Sequence, residues 1–371
     1  MQPLSRRSVV GALAFGGLRS SAANSAITVG LIGCGDRGIL VCRLLKNNPN
    51  ARLVALCDIF EDRIERARSL IPTDAPRTYT DYRKLLASDV DAVIIATPVF
   101  VHPEHLETAI AANKHIYIEK PASVDVAGAK RVIKAADSAD RRLNLVFGFQ
   151  ARYGPGYHKA KRLLDSGGLG AIRMAHAHFI KGEVNGQEPP VPRPTTEMDR
   201  LRDWKRWRDT NGDIIVETYG HGIDVLNWFL GGHASAAYGT GGRTIRRDGD
   251  LMDHVDVTFT YANRVQAVLT GSQITPAFYR SATEQFFGST GVIETSRQYW
   301  THFRGKDDSA TETIPGDITQ NAVDEFIGRI RSGNPENTGV RSAESTLTAI
   351  MGRMAIDLKR EVTWEETMRS A

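Results

Sequence analysis

At 371 residues, with 41% hydrophobic and 24% charged side chains, the chain has the size and make-up of a soluble globular protein of two domains. Its formal net charge is +4, and Arg6, Arg7 and Arg19 add to that excess from residues 1–26, which hold no acidic side chain. The remainder is close to neutral, which excludes the broad cationic surface that grips nucleic acid, and no stretch approaches the roughly 18 apolar residues of a membrane span.

Residues 1–26 read as a targeting segment. Ser5-Arg6-Arg7-Ser8-Val9-Val10 is similar to the twin-arginine export signal, a weakly apolar run follows from Val9 to Leu18, and small residues close it from Ser21 to Ala26. The expectation is a signal peptide cut after Ala23 or Ala26, and a periplasmic or otherwise exported protein that folds before it leaves the cytoplasm. The three cysteines, Cys34, Cys42 and Cys57, agree with that route. They show neither CxxC spacing nor histidine partners, so they predict small buried side chains, with no disulfide and no metal site.

From Ile27 short apolar runs alternate with amphipathic stretches. The runs Ile27–Ile32, Leu53–Cys57, Ala92–Ala96, Ile116–Ile118 and Leu143–Phe147 are rich in Val, Ile and Leu, as strands covered on both faces are. Helical patterns lie between them at Gly38–Lys46, Asp62–Leu70, Pro103–Ala112 and Val126–Ala139. The alternation predicts a doubly wound parallel sheet, an α/β domain over residues 27–150.

The first strand runs into Gly33-Cys34-Gly35-Asp36-Arg37-Gly38, a GxGxxG turn that opens a helix. In such a turn the first glycine bends tightly, the second lets a pyrophosphate reach the backbone, and the third lets helix and strand pack closely, with helix N-terminal amides facing the phosphates. Asp58, at the tip of the second strand, stands where a carboxylate binds the adenosine ribose. A carboxylate there repels a 2′-phosphate, so NAD is favoured and NADP is possible only if Arg63, one turn further on, compensates.

Thr97-Pro98 ends the third apolar run, with His102 close behind, and Glu119-Lys120-Pro121 ends the fourth. Residues just past the carboxyl ends of parallel strands line the ligand crevice, which makes Thr97, Pro98, His102, Glu119 and Lys120 candidates for cofactor contact. A lysine in that position can also move protons.

Taken in order, GCGDRG at 33–38, ATPVFVH at 96–102 and EKP at 119–121 resemble the glucose–fructose oxidoreductase, inositol dehydrogenase and rhizopine-catabolism family, Gfo/Idh/MocA. GFQARY at 148–153 is similar to that family's stretch after the last Rossmann strand, and GDIIVETYGHGID at 212–224 to its second-domain helix. Ser345-Thr346-Leu347, Gly352-Arg353 and Val362-Thr363-Trp364 extend the likeness to the end of the chain.

The resemblance implies a second, α+β domain over residues 151–371 whose open, mostly antiparallel sheet mediates a homo-oligomer, a dimer or tetramer. The residues point the same way on their own: Ile172–Ile180, His254–Tyr261, Arg264–Gln273, Thr283–Gly288 and Val292–Arg297 have β-rich composition, with a hairpin link at Asn263-Arg264. It also implies a catalytic set of Lys120, His221 and Glu217, the last standing where relatives have Asp. At i and i+4, Glu217 and His221 share one face of a continuous helix, and the carboxylate would orient the imidazole. Asp224, one turn beyond, is a candidate second orienter or substrate contact, or else a helix surface charge.

Between the first strand of the second domain and that helix lies Glu183–Arg208, with a stiff proline run at 189–194 and then Trp204, Arg206 and Trp207. Trp204 and Arg206 suit sugar C–H faces and hydroxyls, so the segment reads either as a lid over the substrate or as a packing loop. Arg152 and Tyr153 are further candidates for the pocket edge.

The expected function is hydride transfer between a hydroxyl carbon of a sugar or cyclic polyol and a tightly bound NAD, with Lys120, assisted by His221, taking the hydroxyl proton. Because an exported enzyme meets no pool of free NAD, the retained cofactor is expected either to be reduced by one sugar and reoxidised by another, as in a sugar–sugar oxidoreductase, or to cycle within one turnover of a glycoside hydrolase working through a transient keto-sugar. A non-catalytic protein that binds NAD or sugar is a third reading.

Overall fold

The computed structural model of the chain describes residues 26–71, 75–182 and 190–370. The targeting segment, apart from Ala26, and the first part of the proline-rich segment lie outside the described residues.

Six parallel strands form the first sheet: β1 (Ile27–Ile32), β2 (Ala51–Cys57), β3 (Arg77–Tyr79), β4 (Ala92–Ile95), β5 (His115–Ile118) and β6 (Leu145–Phe147). Their order is β3-β2-β1-β4-β5-β6, with the reversal between β1 and β4 that opens a crevice at the strand tips. Helices α1 (Asp36–Leu45), α2 (Glu61–Leu70), α3 (Tyr82–Leu86), α4 (His102–Ala111) and α5 (Val126–Ser138) make the crossovers. Alternate residues sort to opposite faces. Val29, Leu31, Ile94 and Tyr117 enter one core, Ile32, Val93, Ile95 and Ile116 the other, and all are essentially without solvent contact. Each such Val, Ile or Leu contributes about 1.5–3 kcal/mol when fully buried. That two-sided burial is why the strands are uniformly apolar in sequence.

The second sheet has nine strands: β7 (Ile172–Ile180), β8 (Ala236–Gly242), β9 (His254–Thr260), β10 (Gln266–Ser272), β11 (Ser281–Gly288), β12 (Val292–Thr295), β13 (Tyr299–Gly305), β14 (Asp308–Thr313) and β15 (Val362–Thr363). Their order is β14-β13-β12-β11-β7-β10-β9-β8-β15, antiparallel throughout except where β7 meets β10. The helices of this half are α6 (Pro155–Asp165), α7 (Glu197–Arg202), α8 (Arg208–Asn211), α9 (Ile214–Glu217), α10 (Gly220–Leu230), α11 (Ile318–Ser332), α12 (Gly339–Leu358) and α13 (Trp364–Arg369). One sheet face, with Ala175, Ala177, Leu269 and Phe286, is buried; the other carries Met174, His176, Val268 and Tyr238, with Met174 and Tyr238 exposed.

The last two long helices return to the first domain. α11 buries Val323, Phe326 and Ile327 in the core that contains Val29 and Leu31, with Phe326 edge-on to Tyr117. α12 reaches the β5–α5 loop: Thr346 Oγ1 accepts from the Ala122 amide at 3.0 Å, and Arg353 donates to the carbonyls of Val124 (3.0 Å) and Gly212 (2.7 Å). Arg353 therefore clamps the loop after Lys120 to the turn before Glu217. The two domains share a wall, and the site is built across it.

Among the described residues no helix is long and apolar enough to cross a membrane, and no group of metal-ligating side chains gathers. Cys34, Cys42 and Cys57 are buried free thiols, and burial pushes all three up from the usual thiol range.

Candidate active site

The glycine turn is shaped by three different constraints. Gly33 has a φ of +95°, and a Cβ there would stand 2.6 Å from the Ala96 carbonyl oxygen. A Cβ on Gly38 would lie 2.1 Å from the Gly33 carbonyl oxygen, so helix and strand meet there without room for a side chain. At Gly35 nothing lies within 4 Å of a built Cβ. The first and third glycines are required by the protein's own packing, whereas the second faces open space, as a turn that receives a pyrophosphate must.

Asp58 is buried at the tip of β2. Its Oδ2 accepts from the Cys34 amide at 2.8 Å and its Oδ1 from the Phe60 amide at 3.0 Å. Burial raises its pKa while those two amides and Arg63 oppose the rise. It thus ties the glycine turn to β2, and each oxygen retains a lone pair for a ribose hydroxyl. Arg63 is engaged elsewhere: its guanidinium lies 4.9 Å from the Phe60 ring centre and donates to the Arg202 carbonyl.

The cleft above the turn encloses about 880 Å³ and is walled by both domains. Of the expected residues, Gly33, Gly35, Asp36, Arg37, Asp58, Thr97, Pro98, Trp204, Arg206 and Glu217 line it. Glu119 lies beneath it, buried, and accepts from Arg37 Nε at 2.7 Å, so that the EKP strand end fixes an arginine of the glycine turn.

His102 is a correction. It is buried behind the wall, with Nδ1 2.8 Å from the Pro121 carbonyl oxygen and Nε2 2.9 Å from that of Thr97. Burial pushes the imidazole down to about 4, so at neutral pH the ring donates to only one of the two carbonyls. It links the loop after β4 to the loop after β5 and does not face the cleft.

Lys120, the last residue before a cis Pro121 bond, reaches across the domain boundary. Its Nζ donates to Glu217 Oε1 at 2.9 Å and to the Glu217 carbonyl oxygen. Thr218 Oγ1 donates to Glu217 Oε2 at 2.8 Å. Burial would raise the Glu217 carboxyl, but the Lys120 ammonium, its hydrogen bond and the nearby Lys181 outweigh that and hold it down to about 2. The carboxylate is placed by the turn before it: Gly212 has a φ of +89°, and the Asp213 carboxylate accepts from the amides of Ile214 and Met252 and pairs with Arg208.

The expected Glu217–His221 couple is absent. α9 ends at Glu217 and α10 begins at Gly220, so the two residues do not sit on one continuous helix. Glu217 turns to Lys120, and the His221 ring makes no hydrogen bond among the described residues; it stands edge-on to Phe149 at 6.1 Å between ring centres. Burial, followed by the charges of Lys120, Arg297, Arg37 and Lys181, drives His221 well below the usual histidine range, so the imidazole is neutral.

Arg152, Tyr153 and Asp224 are a second correction. Arg152 forks onto the buried Asp224 carboxylate at 2.8–3.1 Å, and Ser345 Oγ donates to the same group. Arg152 and Tyr153 line a separate cavity of about 600 Å³. The pair is part of the packing between α10, α12 and the segment after β6. The sequence pattern marked these positions, but Arg152 spends its fork on the buried Asp224 carboxylate and lines the separate cavity, not the cleft over the glycine turn.

Residues 197–206 of the segment read as a lid or packing loop roof the cleft, over the end beside Asp36 and Asp62. Arg202 donates to Asp62 on α2 at 3.0 and 3.2 Å and lies 4.0 Å from the Phe60 ring centre. Lys205 lies 3.8 Å from Asp36. Polar lining residues that escaped sequence reading include Lys181 just past β7, Asn211 at the end of α8, and Arg246 and Asp248 in the loop after β8. Nothing in their local sequence marks them: Lys181, Arg246 and Asp248 are brought to the cleft by strands of the second sheet, and Asn211 by a short helix.

Residues 27–147 match the model of the oxidoreductase family with an NAD-binding Rossmann fold, and residues 157–294 match the Gfo/Idh/MocA C-terminal domain. The chain belongs to the Gfo/Idh/MocA family. Its first half is therefore an NAD-binding Rossmann domain, in agreement with the glycine turn and Asp58. Among relatives in this family, the oxidoreductase YrbE of Bacillus subtilis is 27% identical over 270 residues, covering 71% of this chain and 72% of its own. The inositol 2-dehydrogenase of Burkholderia multivorans is 34% identical over 209 residues, which is 55% of each chain. The chain thus matches about half the length of the inositol dehydrogenases. Levoglucosan dehydrogenase in complex with NADH shares the Gfo/Idh/MocA fold at a TM-score of 0.79 and 17% identity, over 91% of this chain and 99% of the other.

Proposed function

We propose that this Gfo/Idh/MocA protein oxidises a hydroxyl-bearing carbon of a sugar or cyclic polyol with NAD as the acceptor. The observation that carries the reading is Lys120, which follows the tip of β5, is fixed by Glu217 of the second domain, and whose charge acts on the neutral, unbonded imidazole of His221. The names of the inositol and levoglucosan dehydrogenases support the substrate class.

The nicotinamide ring, when bound, supplies the two-electron acceptor. Asp58 and the amides of the glycine turn hold the dinucleotide, and Gly35 admits it to the backbone. The Lys120 ammonium donates a hydrogen bond to the substrate hydroxyl oxygen and stabilises the negative charge that develops there. A ring nitrogen of His221, free of other partners, takes the hydroxyl proton. Glu217 stays ionised and keeps the ammonium in place.

The strap over Asp36, Asp62 and Phe60 supports slow release of the dinucleotide, which fits the leader expected at residues 1–26 and an enzyme exported with its cofactor already in place. Self-association through the open sheet face is part of the same proposal.

The test is direct. Purified protein mixed with NAD and a panel of inositols and aldoses should raise the absorbance at 340 nm, and Lys120→Ala should abolish that rise while NADH still binds. Undiminished turnover in Lys120→Ala would refute the assignment.

A further inference from the structure

The reading of the cleft as a carbinol-oxidising site leaves several polar groups at its second-domain end without work. Lys181 lines the cleft just past β7; its amide donates to the Ser272 carbonyl, but its ammonium makes no hydrogen bond or ion pair among the described residues. The charges that act on it are one carboxylate, Glu217, and three cations, Lys120, Arg280 and Lys205. Glu217 is already matched by Lys120 and Thr218. The charges that act most on His221 are all cationic: Lys120, Arg297, Arg37 and Lys181. A positive field therefore persists at the reacting end after the catalytic pair is neutralised. Of the strap's cations, Arg202 pairs with Asp62 at the other end, whereas Lys205, 3.8 Å from Asp36, also acts on Lys181.

Three more atoms in the same lining lack partners. Asn211, 4% exposed, has a buried Oδ1 with no donor. Asp248 Oδ1 and Arg246 Nε are buried and unbonded, 4.0 Å apart, beyond hydrogen-bond reach of each other. Buried polar atoms left unpaired cost about 1–3 kcal/mol each, a cost removed by a ligand that pairs them. Two of these atoms are acceptors, which call for hydroxyl donors. Arg246 Nε and the Lys181 ammonium are donors bearing positive charge, which call for an anion.

We infer that the substrate is an acidic sugar, a polyhydroxylated ring or chain bearing a carboxylate, with Lys181 and Arg246 taking the carboxylate and Asn211 and Asp248 taking hydroxyls. Among the lining groups at this end, Arg206 and Arg246 are matched in number by Asp203 and Asp248, which leaves the Lys181 ammonium over and suits a monoanion. This inference rests on the oxidoreductase reading for the location of the reacting carbon, but not for the identity of the donors that meet the substrate.

Calorimetric titration of the full chain saturated with NADH, using glucuronate, galacturonate and mannuronate each against its neutral aldose, reads the preference without turnover. At least one acid should bind ten or more times tighter than its neutral parent. That ratio should fall toward one in Lys181→Met and be kept in Lys181→Arg. If no acid outbinds its neutral parent in the unsubstituted protein, the inference is overturned whether or not the variants fold; a preference that survives Lys181→Met intact removes Lys181 from it. Acid preference without any reduction of NAD would sustain this inference and sink the oxidoreductase reading, whereas NAD reduction with neutral sugars favoured would do the reverse.

Discussion

At the scale of single residues, the site rests on how one carboxylate is shared. Glu217 could serve either His221 or Lys120, and the break between α9 and α10 decides for Lys120. Replacing Lys120 by Ala removes the donor to the reacting oxygen and should lower kcat/KM by about 10²–10³, the range for loss of one donor to a developing oxyanion. Glu217→Gln keeps the shape but frees the ammonium, and a smaller loss, mainly in kcat, is expected from steady-state kinetics. The same carboxyl makes an acid-labile contribution to stability. Held down to about 2 in the folded chain against an ordinary value of 4.5, it stabilises the fold above pH 4.5, and that contribution is lost as pH falls through 2. Thermal melts from pH 5 to pH 2 should therefore fall less steeply for Glu217→Gln than for the unsubstituted protein. His221, neutral and far below its usual range, should place no inflection near 6.5 in the pH–rate profile; such an inflection, lost in His221→Ala, would contradict its neutral state.

At the scale of elements, the glycine turn separates what folding needs from what binding needs. Gly38→Ala would press a Cβ onto the Gly33 carbonyl and should destabilise the chain by about 1–3 kcal/mol, read by denaturant titration. A Cβ at Gly35 meets no atom of the protein within 4 Å, so the melting temperature of Gly35→Val should stay within about 2 °C while the Kd for NADH rises at least tenfold. Equal damage from both would mean that the turn is merely structural. The strap gives a kinetic counterpart: Arg202→Ala should release NADH about threefold faster in a stopped-flow chase, a modest effect because the Asp62 pair is exposed to solvent.

These elements also show what could be read in advance. Strands β1, β2, β4, β5 and β6 were legible because both their faces are buried, which makes the residues uniformly apolar. β3 and α3 were not: Arg77–Tyr79 is a three-residue edge strand with two exposed side chains. β8 hid behind its three glycines, and β14 behind its exposed polar residues. The glycine turn and Asp58 at the strand tips followed from local spacing, whereas Lys181 and Arg246 reach the cleft only through the strand order of the second sheet. Arg152 and Asp224 misled for a related reason, since sequence position cannot tell a forked buried ion pair from a pair waiting for a ligand.

At the scale of the whole molecule, the C-terminal helices hold the two halves in one arrangement. α11 completes the core beneath the first sheet, and Arg353 on α12 grips both the loop after Lys120 and the turn before Glu217, so the catalytic pair depends on a residue that touches neither partner. The uncovered face of the second sheet, with Met174 and Tyr238 exposed, fits the proposed self-association. Light scattering on Met174→Glu combined with Tyr238→Glu should show monomers where the unsubstituted protein forms dimers or tetramers; assembly left intact by both changes would move the interface elsewhere. The central claim is that a dinucleotide lies over Gly35 with its reactive ring beside Lys120. A crystal structure with NADH tests it most directly. The account predicts the pyrophosphate against the glycine turn and room for a hydroxyl, about 3–3.5 Å from its partners, between the nicotinamide and Lys120 Nζ. NADH bound with the nicotinamide directed away from Lys120, or bound outside this cleft, would contradict it.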